Sequence, residues 1–156
     1  MSRILALRNR QRARPVDTRL LRHIAAWALE EHFCATDYEL AIHLVTAGEM
    51  ATLNKTFLNH EGSTDVITFD HREGSSPGSV HGEIFISLDD TVAQARKFGT
   101  TWQEELTRYL LHGLLHLHGF DDLTATARRK MKREENRLLR QAAREFPLHR
   151  LAKKKR

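Results

Sequence analysis

The stretch His112-Gly113-Leu114-Leu115-His116-Leu117-His118-Gly119-Phe120-Asp121-Asp122 sets two histidines four residues apart in an apolar run, then a glycine and two carboxylates. Residues at i and i+4 share one face of a helix, so both imidazoles can aim at one point. The same helix runs back through Leu106, Tyr109, Leu110 and Leu114, an apolar stripe that makes this the end of a core helix. Gly119 accepts a positive φ, so the helix stops there and the chain returns. That return brings a carboxylate toward the imidazoles. Two neutral nitrogens and one carboxylate oxygen suit a divalent ion such as zinc, with one position left for water.

The segments before this helix supply a sheet for it to pack on. Ile4-Leu5-Ala6-Leu7 is strand-like, and Arg8, Arg10, Arg12 and Arg14 follow at a spacing of two, which in an extended chain puts four guanidinium groups on one side. Leu20, Leu21, Ile24, Ala28 and Leu29 recur with helical spacing, so a helix is predicted over 18–33, with Trp27 in or beside the core. Residues 38–46 alternate as a strand, and His43 there has no ligand-spaced neighbour, which makes it structural. A short helix is predicted over 48–57 and a loop over 59–63. Val66-Ile67-Thr68-Phe69 and Gly82-Glu83-Ile84-Phe85-Ile86-Ser87 are strands that can form a hairpin across a flexible connection at 72–79. Helices follow at about 91–98, from a cap at Thr100 or Thr101 to the histidine pair, and from a Thr124 cap over about 125–144. The last has a thin stripe of Met131, Leu138 and Leu139 among eight Lys or Arg side chains. This order of elements predicts an α+β fold: a small mixed four-stranded sheet packed against helices, with a metal-binding helix–turn.

At 156 residues the chain is read as one domain over 1–150 with a basic disordered tail at 151–156. Its 40% hydrophobic and 29% charged content excludes an unfolded chain, and no apolar run approaches the roughly 20 residues that cross a bilayer. Cys34 is alone, which excludes a disulfide framework and a cysteine metal site; a buried, inert thiol in a cytoplasmic protein is expected. The net charge of +5 is uneven: 7 basic and 3 acidic side chains over 1–35, 4 and 12 over 36–107, and 14 and 5 over 108–156. A positive surface for a polyanion fits this pattern, and so do solvated helix faces with a basic tail.

The spacing H-x-x-x-H-x-x-G-x-x-D selects His112, His116 and Asp122 as metal ligands. Asp121 is expected to support the fold or the ligands from behind, orienting a histidine. His118 lies about 200° around the helix from His116, off the ligand face, and is read as exposed or supporting. Helical zinc peptidases carry a glutamate directly after the first histidine as general base; Gly113 stands there and can move no proton, which excludes that chemistry.

These residues resemble the signature of the YbeY endoribonucleases, the bacterial rRNA maturation factors. The match runs over His112-Gly113-x-Leu115-His116-Leu117-x-Gly119-Phe120-Asp121. Leu53-Asn54-x-x-Phe57, Ser63 to Phe69, and Gly82-Glu83-Ile84-x-Ile86-Ser87 are similar to further segments of that family, in the same order. The resemblance covers about Leu40 to Asp122. It implies a zinc-dependent, single-strand-specific endoribonuclease of 16S rRNA 3′-end maturation and ribosome quality control, a cytoplasmic partner of rRNA and the small ribosomal subunit. One Zn(2+) and no organic cofactor are implied. Two positions depart from the family pattern. Asp122 replaces the usual third histidine, and a carboxylate ligand lowers Lewis acidity and repels phosphate. Leu58 replaces an arginine held to meet the RNA. Arg8, Arg10, Arg12, Arg72 and His60 are the substitutes available for phosphate contact, with His60 and Asp65 as candidate catalytic groups in the cleft. The alternative function is a non-catalytic rRNA- or ribosome-binding factor in which a metal only holds the turn.

Overall fold

Trp102–Leu117 is the element on which the other layers rest, and Thr101 starts it by accepting the Glu104 amide at 3.2 Å. In this computed structural model, which describes residues 2–72 and 78–153, the elements are β1 (Arg3–Asn9), α1 (Thr18–Trp27), β2 (Asp37–Val45), α2 (Ala47–Leu58), β3 (Val66–Asp70), β4 (Ser79–Ser87), α3 (Leu88–Phe98), α4 (Trp102–Leu117) and α5 (Ala125–Glu145). The strands form a four-stranded sheet in the order β1-β2-β4-β3. The first three strands in that order run parallel, and β3 returns antiparallel on β4 with Val66 opposite Ile86. This is the mixed α+β sheet expected.

Alternation along the strands sorts the two faces. Leu40, Ile42 and Leu44 of β2 and Val80, Ile84 and Ile86 of β4 point into the main core, where they meet Leu21 and Ile24 of α1, Leu106, Leu110 and Leu114 of α4, and Met131 and Leu138 of α5. The opposite face holds a smaller cluster of Val45, Met50, Ile67 and Phe85 under α2. Contact between α4 and the sheet is close. A Cβ on Gly113 would lie 2.8–3.0 Å from three side-chain carbons of Ile84, and one on Gly82 would lie 2.7 Å from Leu117 Cδ2. Gly113 is therefore a packing position: any side chain there displaces Ile84 or lifts the helix.

Several sequence expectations need correction. The helix predicted over 18–33 stops at Trp27 and continues as a π-helical turn, Ala28–His32, closed by the Phe33 amide on the Ala28 carbonyl. The chain leaves this turn through Cys34 at φ 53, which turns the thiol outward; Cys34 is exposed rather than buried. The extended row of arginines is broken after Asn9. Gln11 is buried and folds the segment by bonding Asn9 Oδ1 at 2.9 Å and the Arg14 carbonyl at 2.8 Å. Strand β4 begins at Ser79 because it pairs with β2 along its whole length, so the last residue of the connection expected at 72–79 is strand; residues 73–77 lie outside the described residues. The tail expected to be disordered from Leu151 is held over its first part. Leu151 is buried, Ala152 bridges Val16, and the Lys153 amide reaches the Pro15 carbonyl at 2.9 Å. Residues 154–156 lie outside the described residues.

Candidate metal centre

The C-terminal end of α4 presents His112 and His116 on one face, their rings edge to face with centroids 4.8 Å apart. The two Nε2 atoms approach to 3.2 Å. Gly119 follows at φ 94, and its amide closes on the His116 carbonyl at 3.1 Å, which ends the helix and reverses the chain. The reversal carries Asp122 back, so that one ligand atom from each of His112, His116 and Asp122 falls within 4.8 Å of the other two. His112 and His116 are half-buried and Asp122 is exposed, which leaves the site open on the aspartate side.

The opposite side of His112 is fixed by a residue that motif spacing did not reveal. Glu135 of α5 accepts a hydrogen bond from His112 Nδ1 at 2.8 Å, from Arg108 Nη1 at 2.7 Å and from Lys132 Nζ at 3.1 Å. Its side chain is only 5% exposed. Burial alone would push this carboxyl up, but the bonds from His112 and Arg108 outweigh it and hold it at about 2. An ionised Glu135 keeps the hydrogen of a neutral His112 ring on Nδ1 and leaves the Nε2 lone pair facing His116. Burial, with His112 alongside, lowers the His116 pKa, which favours its neutral imidazole. Two lone-pair nitrogens pointed at each other with a carboxylate at hand are the donor set of a divalent cation site, so these residues fit a zinc-type ion. The sequence does carry a trace of Glu135: it lies on the apolar stripe of α5, between Met131 and Leu138, where a lone carboxylate needs buried partners.

The remaining candidates are placed as follows. Asp121 accepts the Leu123 amide at 3.1 Å and so braces the turn. The orienting of a histidine, one of its two expected roles, falls to Glu135. His118 is not exposed. It caps α4, bonds the Leu114 carbonyl through Nδ1 at 2.6 Å and stacks on Phe33 with centroids 3.8 Å apart. His43 is buried as expected, stacked on Phe85 and bonded to Glu83 at 3.0 Å.

Two clefts meet at His112 and Asp122. One, of about 460 Å³, runs toward β3 and is lined by Asp65, Asp70, Thr64, Thr68, Val66 and Leu58 among others. The second, of about 480 Å³, runs along α5. Asp65 therefore reaches the cleft, with its carboxyl raised by burial against the opposing Val66 amide and His112. His60 is exposed in the loop after α2 and lines neither cleft. Arg72 is tied to Asp70 at 2.8 Å and to the Ser79 carbonyl at 3.2 Å, and Arg10 to Glu49 at 2.6 Å. Arg8 and Arg12 are exposed and line neither cleft; Arg8 belongs to the edge strand β1, three strand spacings or about 14 Å from β3.

Fold and site together define a class: an α+β protein whose core helix ends in one candidate mononuclear metal centre between two open clefts. The family model described as Endoribonuclease YbeY matches residues 6–143. Endoribonuclease YbeY of Salinibacter ruber is 30% identical over 141 residues, covering 86% of this chain and 89% of that one. That of Chlorobaculum parvum is 46% identical over 84 residues, covering 54% of this chain and 57% of the relative's length. The solution structure of TM1509 from Thermotoga maritima superimposes with a TM-score of 0.66 at 23% identity, over 98% of this chain and 100% of that one, a likeness of fold. The chain belongs to the YbeY endoribonuclease family.

Proposed function

We propose that this protein is a zinc-dependent endoribonuclease that cuts single-stranded RNA, and that its cellular work is 16S rRNA 3′-end maturation and quality control on the small ribosomal subunit in the cytoplasm. The observation that carries this reading is the convergence of two lone-pair imidazoles and Asp122 at the junction of two clefts, in a chain of an endoribonuclease family. His112, His116 and Asp122 would hold a divalent ion, which would supply Lewis acidity toward a phosphoryl oxygen and activate water for attack. The chain's own residues provide the rest. Glu135 holds the His112 ring in the tautomer that ligates, and Arg108 and Lys132 keep Glu135 ionised. Asp121 and Gly119 fix the turn that delivers Asp122. The cleft toward β3 sets the hydroxyls of Thr64 and Thr68 and the apolar Leu58, Val66 and Ile67 beside Asp65 and Asp70, a wall suited to a ribose and base rather than to a phosphate. Gly113, packed on Ile84, supplies no base beside His112, which separates this site from helical zinc peptidases.

The test has two parts. Purified protein is expected to hold one zinc per chain, and His116→Ala is expected to lose both metal and cleavage of a single-stranded RNA. In cells, His112→Ala is expected to leave unprocessed 16S rRNA 3′ ends. Metal-free cleavage would overturn the chemistry, and unaltered ends would overturn the maturation role and leave only RNA binding.

A further inference from the structure

The cleft along α5 is lined by Arg128, Arg129 and Lys132 and ends on His112 and Asp122. We propose that these three side chains form a phosphate-binding subsite that holds the RNA backbone on one side of the scissile bond. The proposal rests on the endoribonuclease reading and says which wall of the site carries the strand.

Three observations support it. First, the charge available differs between the two clefts. Asp122 is common to both clefts; toward β3 a phosphate also meets Asp65 and Asp70, and the Arg72 guanidinium there is already committed to Asp70. Toward α5, Arg128 and Arg129 have no carboxylate within ion-pair distance among the described residues. Lys132 shares the single charge of Glu135 with Arg108, so that group of three keeps a positive excess. Second, the cations are positioned. Arg128 Nη1 donates to the Asp122 carbonyl at 3.2 Å, which fixes a guanidinium on the backbone of the turn that bears the third ligand. Third, the reach fits. From Ala125 to Lys132 the helix advances about 10 Å, so the wall is a short groove beside the ligand cluster rather than a point.

A single strand that contacts cations releases counterions, with a slope of log K against log salt near −0.7 per phosphate contacted. The experiment measures binding of a short single-stranded oligouridylate to the full chain by anisotropy across a salt titration, in chelator so that no strand is cut. The triple variant Arg128→Gln, Arg129→Gln, Lys132→Gln is compared with Arg133→Gln, Arg140→Gln, Arg144→Gln, which removes the same charge from α5 outside the cleft. The first is expected to make the slope shallower by about 2 and to weaken binding; the second is expected to leave the slope close to wild type. Equal losses in both triples, an unchanged slope in the first, or no binding by wild type would overturn the subsite. Failure of the zinc-loaded wild type to cut the same RNA would overturn the endoribonuclease reading instead, and the slopes would still decide whether α5 holds phosphate.

Discussion

Glu135 shows how one buried carboxylate can serve both packing and chemistry. It bonds His112, Arg108 and Lys132 at once, so its removal leaves one imidazole unoriented and one guanidinium without its anion. Glu135→Gln is expected to lower zinc affinity by about 10- to 100-fold in a chelator competition. It should also cost on the order of 2 kcal/mol in urea unfolding, since bonds to a charged group are lost. Gly113 makes the complementary case. Gly113→Glu restores the residue that a peptidase would need, yet its Cβ falls within 3.0 Å of Ile84. The expected result is a fall in stability of about 1–3 kcal/mol by overpacking, with no peptide hydrolysis gained in a casein assay. Spacing in the sequence was enough to group His112, His116 and Asp122, because helix phase and a glycine stop are local properties. Glu135 escaped because its partners lie 23 and 27 residues away on another helix, and no local period records that.

The elements themselves followed their sequence patterns wherever one face is apolar. Strands β2 and β4 and helices α4 and α5 lie close to where alternation, helical phase and threonine caps put them. The exceptions have a common physical cause, which is short-range hydrogen bonds that no apolar period records. Gln11 turns the chain out of the extended row by capturing Asn9 and Arg14, and the π-helical turn at Ala28 sets the outward path at Cys34. Across the sheet, Glu83 of β4 joins His43 of β2 at 3.0 Å to His71, just past β3, at 2.8 Å. Partial burial would raise this carboxyl, but the two imidazole bonds hold it below its ordinary 4.5. A depressed carboxyl stabilises the fold above 4.5, and that contribution is lost as pH falls through the lower folded value. Urea midpoints measured from neutral to acid pH should therefore drop less below about 4.5 in Glu83→Gln than in wild type. The difference should stay under about 1 kcal/mol, because the site is partly exposed.

For the molecule as a whole, the charges are distributed so that the acidic middle of the chain supplies the β3 wall of the site and the basic last third supplies the α5 wall. Zinc joined to both histidines and the turn should stabilise the native state by mass action. About 4 kcal/mol is expected at 1,000 times the dissociation constant, read as a rise in melting temperature that Asp122→Ala reduces. The C-terminal end of the described chain is joined to the entry of α1 as well: the Asp17 amide meets the Leu151 carbonyl at 2.8 Å, and Ala152 bridges Val16. A chain cut after Pro147 is expected to melt earlier and to expose Val16 and the start of α1 to protease. That closure also sets an order in time. Synthesis proceeds from the N-terminus at about 5–20 residues per second, so the segment at Val16 waits on the order of 10 s for its partner to be made. Until then the first helix has an unlatched entry, and the nascent protein cannot complete its core before Leu148 to Ala152 have been made.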